Sequence, residues 1–348
     1  MGAVAAQLDM FLVSTVDPPL RDNRDTMEYP FLSLQKKRTK AIEFSGKGVS
    51  IEVQAPAKYG LASIWDWDLI IFAASHLNEA IEAGLKPSPR VRFVPYDCLK
   101  QIGRGTSGRH YQELAQSMRR LRMTTIITNI REDDESGEER PFSWLADYSI
   151  PKRYSSAAMT PDSHDGEPDP ARPWEIELPP WLFNSIMRRR EILAVHPDYF
   201  QLTGGLERWL YRLARKAVPD KQFPASIKFR MDTLHQRSGT TRPLKQFAFD
   251  IRKMAEADPL PEYGVRIERN GKHELVILYR DREKPCRKPR GIKRMEIEGL
   301  PRIDRASFGK LGGRRQKQRP PVEDAVTRAR KSIEYDAVKR TLVRRVPE

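Results

Sequence analysis

The chain has 348 residues, 39 % of them hydrophobic, and its 62 Lys and Arg against 47 Asp and Glu give a formal net charge of +15. No apolar run approaches the length of about 18 residues that a membrane span needs, and two cysteines are too few for a disulfide framework. These features exclude a membrane-spanning protein and a disulfide-stapled secreted domain. We expect a cytoplasmic chain of two domains plus extensions, with neither a metal nor a cofactor.

The positive charge is concentrated towards the C-terminal end. Residues 281–348 contain 21 basic and 10 acidic side chains, a net charge of +11, whereas the other 280 residues have a net charge of only +4. A basic excess of this size predicts a polyanionic partner, nucleic acid first and an anionic membrane second. The basic tracts around Arg290, Arg314 and Arg315 can follow a DNA backbone or enter a narrow minor groove, although a disordered tail that binds without sequence preference is the simpler interpretation.

The first half of the chain is predicted to form a regular series of helices and strands. Ser63 and Asp66 have the spacing of a capping box, in which a hydroxyl and a carboxylate satisfy free amides of the first helical turn. Between residues 109 and 121 apolar side chains recur every three or four positions, which predicts an amphipathic helix. In chain order we expect a hairpin over 42–53, a helix over 63–84, a strand over 91–94, a short helix over 96–102, a helix over 109–121 and strands over 124–128 and 142–150.

An acidic loop separates the last two of these strands. Its carboxylates are Glu132, Asp133, Asp134, Glu135, Glu138 and Glu139. Because DNA phosphates repel such a cluster, we expect this loop to stay off DNA and to meet protein or the basic tail.

The same order of elements recurs after residues 155–173, a Pro- and Asp-rich segment that is either a linker or an insertion. Asn270-Gly271 between two apolar runs is a strong hairpin signal. In chain order we expect a strand over 174–178, a helix from Pro180, a helix over 206–218, a strand over 226–229, a short helix over 231–236, an amphipathic helix over 242–257 and a hairpin over 265–278.

A long helix, a strand, two helices separated by a turn and a hairpin form a winged helix-turn-helix, whose second turn helix enters the major groove. We therefore predict an α+β fold with two tandem winged helix-turn-helix domains. The predicted boundaries are a flexible N-terminal arm over 1–26, the first domain over 27–154, the linker or insertion over 155–173, the second domain over 174–280 and the basic, disordered C-terminal tail over 281–348.

Several segments of these two domains resemble the plasmid replication initiator protein A family. They are residues 27–34 (MEYPFLSL), 64–68 (IWDWD), 107–111 (SGRHY) and 199–212 (YFQLTGGLERWLYR). The similarity spans about residues 27–280 and leaves out the basic tail. More distantly, the chain resembles tandem winged-helix initiators that bind repeated origin sequences. The resemblance implies a plasmid initiator that binds duplex origin DNA, meets single-stranded DNA at the melted origin and recruits host replication proteins, the host initiator and helicase among them. Initiators of this architecture often switch between monomer and dimer.

Base readout requires long polar side chains on the exposed face of a helix, because Arg pairs with guanine and Gln with adenine. Hydroxyls and free amides at a helix start favour a phosphate. The candidates in the first domain are Thr106, Ser107, Arg109, His110, Gln112, Gln116, Arg119 and Arg120. The candidates in the second domain are Thr240, Thr241, Arg242, Lys245, Gln246 and Arg252, with Arg269 and Lys272 beside the hairpin turn.

Gly103, Gly105 and Gly108 have the spacing of a dinucleotide-binding loop, but that loop needs a preceding strand and a crossover to a parallel strand. Here a short helix precedes the glycines, so we interpret them as the turn of the helix-turn-helix. The sequence has no P-loop, and its six His are well separated, which argues against an ATPase and a nicking enzyme. Two alternatives stay open: a tandem winged-helix regulator that represses its own gene and, from another class, a metal-dependent DNA nickase.

Overall fold

The computed structural model describes residues 11–13, 17–130, 139–154, 173–188, 191–220, 224–271 and 273–284. The helices in this part of the chain are α1 (Asp68–Glu82), α2 (Pro95–Gln101), α3 (Gly108–Met123), α4 (Pro180–Met187), α5 (Gly205–Ala217), α6 (Met231–Ser238) and α7 (Leu244–Ala257). The strands are β1 (Phe11–Leu12), β2 (Arg21–Asn23), β3 (Ile42–Gly46), β4 (Val49–Gln54), β5 (Arg90–Phe93), β6 (Thr125–Thr128), β7 (Phe142–Ser143), β8 (Asp147–Ser149), β9 (Trp174–Glu177), β10 (Ile192–Ala194), β11 (Ser226–Arg230), β12 (Tyr263–Asn270) and β13 (His273–Arg280). The expected mixture of helices and sheets is confirmed, and none of the helices in these ranges is long and apolar enough to cross a bilayer.

The first module consists of α1, α2 and α3 together with a sheet of strand order β1-β5-β9-β8. The apolar stripe predicted for α3 is confirmed, because Tyr111, Leu114, Met118 and Leu121 are all buried. In chain order its elements are α1, β5, α2 and α3, followed, after β6 and β7 of a separate sheet, by β8 and β9. The last strand, β9, lies between β5 and β8.

The second module, α5 to α7 with the sheet β11-β13-β12, repeats this order. Its last strand, β13, again lies between the other two. Phe247, Ile251 and Met254 bury one side of α7. The predicted hairpin is confirmed, and Gly271 forms its turn with a φ of 58° that favours glycine.

Two assignments made from the sequence are wrong in the first module. Strand β6 pairs with β7, as predicted, but the two strands lie with β3 and β4 in a separate sheet of order β3-β4-β6-β7, so they are not the hairpin of the first module. That hairpin is formed by β8 and β9. Trp174–Glu177 therefore belongs to the first module, and residues 155–173 follow β8 and precede its partner β9, which favours the insertion over the linker.

Both predicted ends of the folded region also need correction. Strand β2 pairs with β10, and Asp22 is fully buried, so residues 21–26 are part of the folded core and not of a flexible arm. At the other end, the Asp281 amide donates to the Glu262 carbonyl (2.8 Å), and Lys284 Nζ donates to Asp258 Oδ1 (2.6 Å). The second module thus extends to Lys284.

Buried ion pairs join α5 of the second module to the first half of the chain. Arg212 Nε donates to Asp22 Oδ2 (2.6 Å), and Trp67 Nε1 donates to Asp22 Oδ1 (2.7 Å). Arg208 Nη1 donates to Asp68 Oδ1 (2.6 Å), which lies at the start of α1. Trp67 itself is fully buried in the core. A buried guanidinium is stable only beside its carboxylate, so these pairs fix how α5 sits against α1 and β2.

Candidate nucleic-acid interface

Helix α7 presents an exposed face rich in long polar side chains. The α6–α7 turn follows Gly239, whose positive φ of 60° ends α6. On the face opposite the buried Phe247 and Ile251, the exposed residues of α7 are Leu244, Lys245, Gln246, Phe249, Arg252, Lys253, Glu256 and Ala257. Three cations and one glutamine on this face supply the donors that base edges and phosphates accept.

The start of α7 is organised by local hydrogen bonds. His235 shares a hydrogen bond of 2.7 Å between Nε2 and the Arg242 carbonyl, and the Arg242 guanidinium pairs with Asp250. Thr240 Oγ1 accepts from the Arg242 amide (3.2 Å), while Gln35 Nε2 donates to Thr241 Oγ1 (3.3 Å). These contacts hold the predicted threonines and Arg242 in one compact turn ahead of the helix.

An open cleft of about 610 Å³ separates α7 from the β12–β13 hairpin. The residues along it are Arg230, Met231, Asp232, Leu244, Lys245, Ala248, Arg252, Arg269, Gly271, His273 and Glu274. Arg252 Nη2 donates to Glu274 Oε2 (2.6 Å), which joins the helix to the hairpin across this cleft. The structure thus brings the predicted Lys245, Arg252 and Arg269 to one surface.

Helix α3 of the first module exposes fewer such groups. Arg109 is 82 % exposed but pairs with Glu113 at 2.9 Å. Thr106, Ser107 and Gln112 are exposed, whereas Gln116 is half-buried. His110 is half-buried, and its Nδ1 shares a hydrogen bond of 2.8 Å with Ser107 Oγ. The hydroxyl that we expected to contact a phosphate is therefore engaged by His110.

Two of the arginines predicted to bind DNA from α3 are drawn into the protein. Arg119 is buried and cannot reach a base edge. Arg120 donates from Nε and Nη2 to the two carboxylate oxygens of Asp66 at 2.8 and 2.6 Å. Burial alone would raise the pKa of Asp66, but the Arg120 guanidinium outweighs it and holds that pKa below its ordinary value. Arg120 therefore stabilises the start of α1 instead of facing DNA.

Sequence reasoning also missed exposed groups around α7. Lys253 and Phe249 lie on its outer face, and Arg230 lines the cleft. Each of these exposed residues is next to a buried one, so the pattern that predicts the buried positions could also have predicted them.

Some of the predicted residues cannot be placed. Lys272, Arg290, Arg314 and Arg315, and the acidic residues at 132–138, lie outside the described residues, while Glu139 is exposed. Among the described residues, no group of three or more His, Cys, Asp or Glu is arranged to hold a metal ion.

Comparison with known proteins decides the family. The family described as "Replication initiator protein A" matches residues 21–265. This chain belongs to that family. The resemblance noted in the sequence is confirmed, and the family supports a role in the initiation of DNA replication.

A curated relative and two solved structures are also similar to this chain. A "Putative replication protein" of Wigglesworthia glossinidia brevipalpis is 29 % identical over 245 residues, which cover 69 % of this chain and 82 % of the relative. A crystal structure of domains 2 and 3 of RctB covers 74 % of this chain and 97 % of its own, with a TM-score of 0.50 and 15 % identity. The likeness to this RctB structure shows a similar fold. A second RctB structure covering domains 2–3 aligns over 74 % of this chain and 96 % of its own at a TM-score of 0.45, also with 15 % identity.

Proposed function

We propose that this initiator binds specific origin DNA through two winged-helix modules and that the second module reads the bases. The supporting observation is α7, whose exposed face presents Lys245, Gln246 and Arg252 beside the β12–β13 hairpin. A recognition helix lies in the major groove while its hairpin reaches the neighbouring backbone. The cations of α7 and the hairpin are placed for these two tasks.

The topology supports the winged-helix assignment of both modules. Each has the order helix, strand, helix, helix, strand, strand, although β6 and β7 of the separate sheet follow α3 in the first module. In the first module the last strand, β9, lies between β5 and β8, and in the second the last strand, β13, lies between β11 and β12. The second helix of each turn is the longest of the pair, α3 and α7 having 16 and 14 residues. We therefore assign α3 and α7 as the helices that approach DNA.

The two modules have unequal tasks in this proposal. On α3, Arg119 and Arg120 are withdrawn into the protein, and Arg109 faces Glu113. Thr106 and Gln112 stay exposed. We assign the first module to phosphate contacts at the start of α3, which position the protein, and the second to base contacts, which specify the site.

We further propose that the chain acts by binding, without cleaving DNA. Once bound, it promotes opening of the origin, where it meets single-stranded DNA, and it then recruits host replication proteins. Both modules contribute to one hydrophobic core, and the Arg208–Asp68 pair joins α5 to α1, so we expect the two modules to bind DNA as one unit.

Footprinting on duplex fragments that tile the DNA flanking the gene of this chain tests the proposal. We expect protection of repeated sites beside an AT-rich stretch, and supercoiled plasmid incubated with the protein and Mg²⁺ should stay closed. Protection restricted to a promoter would favour the autorepressor instead. Nicked plasmid would show a metal-dependent nickase, and uniform protection of every fragment would contradict specific binding.

Removal of residues 285–348 should reduce unspecific affinity and leave the preferred sequence unchanged. The truncation keeps Lys284 and its hydrogen bonds to the second module. Each phosphate contact contributes roughly 0.9 to the slope of log affinity against log salt, so the slope should become shallower by several units. The measurement is binding to one footprinted duplex at several salt concentrations. An unchanged slope would show that the tail does not contact phosphate.

A further inference from the structure

Phe249 is an apolar side chain that the protein core does not use. Among the large hydrophobic side chains in the described ranges it is the most exposed, at 63 %, while Phe247 and Ala248 beside it are buried. Exposing an aromatic ring to water is unfavourable in free energy, and a partner that covers the ring removes this unfavourable term.

The surroundings of Phe249 on α7 are cationic. Its neighbours three and four residues away along the helix are Lys245, Gln246, Arg252 and Lys253, all exposed. Residues at these spacings lie next to each other on a helix surface. Three cations and one amide therefore flank the ring along the helix, a setting that suits a polyanion carrying an apolar group.

The shape of this surface is a ridge between two hollows. Lys245, Ala248 and Arg252 line the cleft towards the β12–β13 hairpin. Phe247, Asp250 and Lys253 line a second hollow of about 370 Å³ on the other side of the helix. Phe249 lines neither and lies between them. The ridge ends at Glu256, whose carboxylate repels phosphate, so the first two turns of α7 are the part that suits DNA. The N-terminal residues of a recognition helix are also those that contact base edges.

We propose that Phe249 contacts the 5-methyl group of a thymine in the major groove and thereby contributes to sequence specificity. This inference rests on the function proposed above, because it places α7 in that groove. The thymine methyl is the apolar feature that a base pair presents there, and aromatic side chains pack against it. The adjacent cations would meet base edges and the phosphates on either side.

The first module provides an internal contrast. Glu113 is the sixth residue of α3, as Phe249 is of α7, and it pairs with Arg109. A carboxylate at this position cannot cover a methyl group and repels phosphate. The thymine contact is therefore assigned to the second module alone.

The test uses the duplex that the wild-type chain selects from a random-sequence pool, with its thymines replaced one at a time by deoxyuridine. At one or two positions we expect the lost methyl group to weaken binding about fourfold, the effect of one methyl-sized group buried. Phe249→Ala should weaken binding of the unmodified duplex to a similar degree and should be insensitive to deoxyuridine at those same positions. Phe249→Leu should keep part of the sensitivity.

The controls separate this inference from the proposal on which it rests. Leu85→Ala, at an equally exposed apolar residue of the first half of the chain, should leave both affinity and deoxyuridine sensitivity unchanged. If Phe249→Ala binds as the wild type, or stays sensitive to deoxyuridine at the same positions, the thymine contact is wrong although α7 still binds DNA. Failure to select any sequence would overturn the proposed function itself. If the wild type binds phosphatidylserine vesicles and Phe249→Ala does not, while its DNA binding is intact, Phe249 would instead contact a membrane surface.

Discussion

Replacing Arg212 by Met is expected to lower the free energy of unfolding by about 3–5 kcal/mol. The guanidinium donates from Nε and Nη2 to Asp22 at 2.6 and 3.3 Å, and from Nη2 to Thr26 Oγ1 at 2.7 Å. Both side chains of the ion pair are at most 1 % exposed. Methionine fills much of the volume but leaves the Asp22 carboxylate buried without its counter-charge. Urea titration followed by circular dichroism measures the effect.

Two further variants distinguish the uncompensated charge from lost packing. Arg230→Met breaks the exposed pair with Asp232 and should change the free energy of unfolding by at most about 1 kcal/mol. Adding Asp22→Asn to Arg212→Met should recover part of the loss, because the neutral amide oxygen still accepts from Trp67 Nε1. A loss below about 1 kcal/mol for Arg212→Met would show that the pair does not hold α5 against β2.

The double variant Lys245→Ala/Arg252→Ala should lose affinity for the footprinted duplex by about 10- to 100-fold or more at fixed salt. Both side chains are exposed and line the cleft beside the hairpin. A base-edge contact by Arg252 supplies discrimination, so the ratio between specific and scrambled duplex should fall as well. Fluorescence anisotropy with both duplexes measures the two quantities, and thermal unfolding should be unchanged because the Arg252–Glu274 pair is a surface contact.

Helix α3 offers a matched control for this variant. Arg109 and Gln116 are the second and ninth residues of α3, as Lys245 and Arg252 are of α7. Arg109→Ala/Gln116→Ala should lower the affinity for the specific and the scrambled duplex by a similar factor, smaller than that of the α7 variant. The ratio of the two affinities should stay unchanged, since phosphate contacts carry no sequence information. A larger loss of discrimination from the α3 variant would reverse the roles assigned to the two modules.

Most of the second module could be predicted from the sequence because its signals are local. The spacing of Phe247, Ile251 and Met254 defines the buried side of α7, and Asn270-Gly271 defines the hairpin turn. The exposed positions of α7 follow directly from the buried ones. Lys245, Gln246 and Arg252 were therefore found by periodicity alone.

The errors in the first module arise from contacts between residues far apart in sequence. Asp66 was recognised as a capping residue, and it does accept from the Ser63 amide at 2.8 Å. Nothing near Arg120 in sequence indicates that the same carboxylate, 54 residues away, also accepts from its guanidinium. A helical pattern shows which face is polar, but it cannot show that a polar residue has a buried partner.

The sheet that contains the predicted β6–β7 pair was misjudged for a similar reason. Thr125–Thr128 is a good strand by composition, and Phe142–Ser143 follows it as its partner. Which of several strands completes the sheet of β5 depends on long-range packing, and β9 is separated from β5 by more than 80 residues. Alternation predicts that a segment is a strand but does not predict its neighbour.

The most direct test of base reading by the second module is cleavage of DNA from a chelated iron attached to α7. Gln246→Cys is labelled in a chain in which Cys286→Ser removes one native thiol, while burial raises the pKa of the Cys98 thiol and keeps it unreactive. The label should cut the footprinted duplex at discrete positions inside each protected site, and the same label at Gln112→Cys of α3 should cut weakly. Discrete cuts from position 112 with none from position 246 would contradict the account.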